Sequence, residues 1–178
     1  NFEENQYCKI FPNEEFMYKE YAVYQPLQRR GVLDAESIER LRTSSYFTSN
    51  SSIFNETDFE QLKEMNPRSA ADEKKYQKYL AGQQFVADVL TILEADRSDL
   101  VFMDYSEFEK HLKSLLGKVE GMSASRLTGI AMVLAVMDKT AVVQKDRKGE
   151  IIKDTTTKDT EIIKLTQDPE KYFEAEVY

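Results

Sequence analysis

Histidine, cysteine and clustered carboxylates are where chemistry would be sought first, and this chain offers little of each. His111 is its single histidine and Cys8 its single cysteine. Without a second histidine they give no metal-ligand spacing, and no Cys-His or Ser-His-Asp set. His111 is expected to be an ordinary residue on a helix surface. The carboxylates fall in mixed-charge runs such as DEKK (72–75), which suit a solvated face better than an acid/base pair. The six glycines nowhere form a phosphate-cradling loop. No catalytic, cofactor-binding or metal-binding residue is therefore expected in this chain itself.

Nucleic-acid binding is the other chemistry to weigh. A helix, a second helix and a hairpin between residues 106 and 154 spell a winged helix, with the segment 123–139 as reader. A reading face needs Arg, Lys, Asn or Gln at the base edges, and in SASRLTGIAMVLAVMDK Arg126 stands nearly alone among apolar residues. The hairpin tip KDRKG could meet phosphate, although Asp146 offsets it. Over all 178 residues, 32 acidic against 24 basic side chains give a net charge of −8, which disfavours duplex affinity from the surface as a whole.

The elements that must position these residues are legible from period and punctuation. The lone cysteine excludes an internal disulfide and fits a reducing compartment. The longest apolar run, 129–137, is far short of the ~20 residues that span a bilayer. Two glycosylation-type triplets begin at Asn50 and Asn55 in a Ser/Asn-rich stretch, where chance explains them. Residues 1–30 read as an extended, aromatic-rich lead-in, with Tyr18, Tyr21, Val23 and Tyr24 as strand formers and Pro26 ending the run. Asp34 caps a short helix carrying Ile38 and Leu41. Residues 43–57 read as a mobile polar loop, and Thr57 with Glu60 as a capping box opening a helix stopped by Pro67.

From Ser69 comes the longest helical signal, interrupted only by Gly82. A helix over 106–116 with Gly117 as its stop follows, then 123–139 as a buried central helix. After it the period changes, and Val142, Val143, Ile151 and Ile152 flank a turn at 146–149, a hairpin with Gly149 in the positive-φ position. Asp168-Pro169-Glu170 opens a last helix. Its Phe173 and Val177 share a face, so Phe173 is expected to be buried.

Two stretches carry a resemblance. In FMYKEYAVYQPL (16–27), Phe16, Tyr18, Val23, Pro26 and Leu27 fall in register with the F-x-Y…V-x-x-P-L segment that follows the catalytic domain in M subunits of type I restriction-modification systems. In KGEIIKDTTTKDTEIIKL (148–165), Gly149, Asp154, Asp159, Glu161, Ile163 and Leu165 are similar to that family's G-x-x-x-x-D-x-x-x-x-D-x-E-x-V-P-L, with Lys164 in place of Pro. Tyr172 and Phe173 then resemble its Y-F-x-x-E-V. Met17 and Gln28 depart from the family's frequent Gly and Arg.

The resemblance implies a C-terminal fragment of a parent that transfers a methyl group from S-adenosylmethionine to adenine N6 in DNA, in bacterial cytoplasm. Its partners are the specificity and restriction subunits, and it meets DNA through that complex. The family's Asn-Pro-Pro-aromatic site is not here: Asn66-Pro67 continues into Arg68 and Ser69. The fragment is thus expected to hold no cofactor, to touch no membrane and to serve assembly. The alternative is a stand-alone winged-helix nucleic-acid-binding module. The expected fold class is mainly α: one domain over 1–178, with a small β component from an N-terminal strand and a hairpin near 141–154, a winged-helix-like arrangement being one form of it. Residues 166–178 are expected to begin a truncated C-terminal helix.

Overall fold

The computed structural model describes residue 4 and residues 6–176. Half of the chain is helical and 20% is strand, in seven α-helices and small antiparallel sheets among the described residues. The fold is therefore a mixture of α and β, which corrects the mainly α expectation and with it the winged-helix-like arrangement. The chain divides into two compact units, one of residues 27–152 and one of residues 1–26 with 153–178.

In the larger unit, β2 (Arg29–Leu33) lies between β5 (Ser98–Phe102) and β6 (Val136–Met137), antiparallel to both. Gly31 pairs with Phe102 and Arg30 with Val136. A methyl group on Gly31 would overlap the Phe108 ring, so the strand can press onto its helix only without a side chain there. Six helices belong to this unit: α1 (Ala35–Thr43), α2 (Ser45–Thr48), α3 (Glu56–Glu64), α4 (Ala70–Ala95), α5 (Tyr105–Leu116) and α6 (Ala124–Leu134). Asp34, Ser69, Asp104 and Ser123 each cap the helix that follows, accepting from a backbone N–H of its first turn. At Asp34 the Ser37 N–H, 2.7 Å away, is the main cause holding the carboxyl below its ordinary value.

Three elements differ from expectation. The apolar run 123–139 does not stay helical: α6 ends at Leu134 and Val136–Met137 continues as strand. The reason is tertiary. Arg40 donates Nε to the Val133 carbonyl at 3.0 Å and its terminal amine to the Leu134 carbonyl at 2.8 Å, taking up the helix end. The segment 43–57 holds α2 and the two-residue strands β3 (Ser49–Asn50) and β4 (Phe54–Asn55), because Phe47 and Ile53 are both buried. The third helix starts one residue before Thr57, with Asn55 rather than Thr57 as cap.

One apolar cluster joins Leu33, Ile38, Phe108, Leu112, Leu134 and the C-terminal half of α4. A second joins Phe59, Leu62 and Tyr79, so α4 serves both. Between its two halves Gly82 lies against the Ile53 carbonyl, where a side chain has no room. The expected hairpin near 141–154 is present as bridges rather than long strands. Lys145 pairs with Ile151, and Gln28 with Val143.

In the smaller unit, β1 (Tyr18–Val23) pairs antiparallel with β7 (Asp159–Lys164), from Tyr18 opposite Lys164 to Val23 opposite Asp159. The two end segments, of which at least one must find a strand partner for its backbone groups, find each other. Helix α7 (Pro169–Glu176) begins at the expected proline. Val177, the expected companion of Phe173, lies outside the described residues.

Candidate functional site

The family-like residues of the smaller unit converge on one ladder. Alternation along the strands puts Tyr21, Val23, Glu161 and Ile163 on one face and Tyr18, Glu20, Ile162 and Lys164 on the other. Helix α7 covers the first. Phe173 meets Tyr21 edge to face, centroids 5.6 Å apart, and Tyr172 Oη donates to Glu161 Oε2 at 2.9 Å. That carboxylate, the main cause, raises the Tyr172 phenol above its ordinary value. Phe173 is half-buried, and Ile163 is buried.

The remaining motif positions shape the ladder's ends. Leu165 N–H donates to the Met17 carbonyl at 2.8 Å, one residue beyond Tyr18 and just after Phe16. Asp154 is buried and accepts from Thr156 N–H at 3.0 Å and Thr156 Oγ1 at 2.7 Å. Its own N–H goes to the Gln25 carbonyl at 2.9 Å, and Pro26 bridges Lys153. Asp159 takes the Thr160 N–H at 2.7 Å. Leu27 and Gly149 belong to the larger unit. There Leu27 N–H donates to Ile152 O at 2.8 Å, and Gly149, at φ +85°, closes the 146–149 turn. Eleven of the thirteen motif positions thus fall in one small unit, held there by backbone pairing, turns and packing.

The larger unit has cavities but no catalytic constellation among the described residues. One of about 500 Å³ is lined by Lys78, Phe85, Asp88, Glu120 and Arg126. Its cations are already committed: Arg126 donates to the Gly121 carbonyl at 2.8 Å and the Ser52 carbonyl at 2.9 Å, over the Phe85 ring. Lys78 Nζ donates to Ser51 O at 2.8 Å. Arg126, weighed as a base reader, is instead a clamp between segments. Near Asn66-Pro67, a cavity of about 520 Å³ has Arg68 stacked on Tyr76 at 3.8 Å and paired with Glu73 at 3.1 Å. His111 is half-buried, with Nε2 2.8 Å from Asp96 Oδ2 and its ring stacked on Phe102 at 5.0 Å.

Two titrations stand out. Asp58 is held below the ordinary carboxylate value, first by Lys75 Nζ at 2.7 Å and then by Tyr79 Oη at 3.1 Å. Tyr105 is buried, and desolvation, with Glu109 adding to it, pushes its phenol up to about 12. An ion pair and a hydrogen bond account for Asp58, and burial accounts for Tyr105. Among the described residues no group of three or more His, Cys, Asp or Glu could hold a metal ion, and no helix is long and apolar enough to cross a membrane. Arg40 and Arg126 could not be recognised as clamps from the chain alone, because the carbonyls of Val133, Leu134 and Ser52 that they hold are distant in sequence. No protein-family model matches the chain, and neither a curated protein nor a solved structure matches it.

Proposed function

We propose that this chain is the non-catalytic assembly region of a type I methyltransferase M subunit, whose parent methylates adenine N6 with S-adenosylmethionine. The observation that carries the reading is the ladder. The two stretches that resemble the family, more than a hundred residues apart in the chain, are hydrogen-bond partners from Tyr18–Lys164 to Val23–Asp159. The third motif pair, Tyr172 and Phe173, packs on the same strands. A chance likeness in three segments has no reason to fall on one piece of structure. The partners are the specificity and restriction subunits, DNA is reached through them, and the location is the cytoplasm.

Two checks test the reading. The coding sequence upstream should hold an Asn-Pro-Pro-Phe or Asn-Pro-Pro-Tyr motif. When coexpressed with the specificity subunit of its own system, the tagged chain should retain that subunit through size-exclusion chromatography. A chain that emerges alone, with no such motif upstream, would overturn the reading.

A further inference from the structure

We infer that the outer face of the β1–β7 ladder is a docking surface for a basic, apolar-bearing polypeptide segment of another protein. This deepens the assembly reading by naming the surface and the chemistry of its partner. The face opposite α7 is bare. Tyr18 is 56% exposed and Ile162 63% exposed. They are diagonal neighbours, since Tyr18 lies opposite Lys164 and Glu20 opposite Ile162. Phe16, 65% exposed, leads into the strand and stacks edge to face with the half-exposed Phe11. A two-stranded ladder is marginal in water by itself. Here Ile163 is the one fully buried apolar side chain among the unit's described residues. The face therefore has both a reason to be covered and the apolar area to be held by.

Charge selects the occupant. Five acidic and two basic residues in 1–26, with seven acidic and four basic in 153–178, give this unit −6 of the chain's −8. On the exposed face Lys164 is neutralised by Glu15 at 3.7 Å, while Glu20 and, at the start of the unit, Glu14 have no ion-pair partner among the described residues. A second copy would set −6 against −6, so like-charge repulsion disfavours self-association. A segment with lysine or arginine around its apolar side chains complements the face. Strand addition along the free edge of β7 is opposed at both ends. Asp159 takes the outward Thr160 N–H at 2.7 Å, and Gln167 the Lys164 N–H at 3.4 Å. With that edge opposed, the exposed apolar side chains of Tyr18 and Ile162 place the partner across the face.

The test titrates the full chain against a short fluorescein-labelled peptide of alternating lysine and valine, read by anisotropy. Parallel peptides alternate lysine with serine and glutamate with valine. The lysine–valine peptide should bind, more weakly as salt is raised. Ile162→Glu and Tyr18→Glu should each weaken it by about tenfold or more, with melting temperatures unchanged because both side chains are exposed. The substitutions are discriminating, since an added carboxylate would strengthen a purely ionic contact. Equal binding of the lysine–serine or glutamate–valine peptide, no effect of either substitution, or a dimer of the chain that Ile162→Glu dissolves would each overturn the proposal. If the peptide binds as described but the specificity subunit is not retained, the assembly reading fails and the surface stands. If the subunit is retained and Ile162→Glu changes neither result, the surface fails and the reading stands.

Discussion

Residues 27–152 set a strand between two others and bring helices onto it, leaving Leu33, Phe108 and Leu134 at or below 1% exposure. Residues 1–26 with 153–178 form a ladder of two strands that buries Ile163 and leaves Tyr18 and Ile162 more than half exposed. Both units use β-branched and aromatic residues in their strands. What separates them is the number of layers: β2 has partners on both edges, whereas β1 and β7 share one edge and have a single short helix on one face. A unit built that way holds a fixed shape only weakly by itself, which suits a surface that is completed on binding.

The largest loss of stability is expected from the larger unit. Phe108→Ala, under Gly31 and within the main cluster, should cost about 3–5 kcal/mol of global stability in urea denaturation; a loss below about 1 kcal/mol would show that this core is not what holds the chain. Alkaline titration examines the same core. A phenol raised to about 12 in the fold contributes stability that is fully present below the ordinary tyrosine value near 10 and is lost as pH rises through about 12. The melting temperature should therefore fall across that window, and Tyr105→Phe should flatten the fall. An identical profile in the variant would place the alkaline sensitivity elsewhere.

The smaller unit should answer differently. Ile163→Ala should remove about 2 kcal/mol of local stability, read as faster hydrogen exchange in residues 18–23 and 159–164, while the urea midpoint of the larger unit stays put. Phe173→Ala, removing a half-buried ring, should do the same by about 1 kcal/mol. A shift of the whole unfolding transition in either variant would mean that the two units unfold together.

What the sequence disclosed and what it hid follow the same physical line. Local signals were legible. Asp34, Ser69 and Pro169 mark helix starts through their own side chains or ring, and α1, α4 and α7 begin where those residues direct. Signals that depend on distant partners were not. Val136–Met137 continues an apolar helical run with no Gly or Pro between, and the helix end is taken up by Arg40, more than ninety residues away, while Val136 pairs with Arg30 of β2. Ser98–Phe102 holds only three consecutive apolar residues, Leu100 to Phe102, too few for periodicity to assign, and its pairing with β2 was equally hidden. Tyr46, Phe47, Ile53 and Phe54 come as two isolated pairs in a Ser/Asn-rich stretch, with no helix or strand period to announce an ordered segment. At the candidate site, the motif residues could be named from the chain, but not the register that pairs Tyr18 with Lys164. The exposure of Ile162 follows from that register.

On the proposed function, the β1–β7 ladder is the part of this chain that a partner subunit covers. Hydrogen exchange of the chain alone and bound to the specificity subunit tests it most directly. Residues 18–23 and 159–164 should exchange quickly alone and become protected on binding, with residues 29–33 slow in both states. Protection confined to the helices of residues 27–152, or no change in the ladder, would show that the partner binds elsewhere.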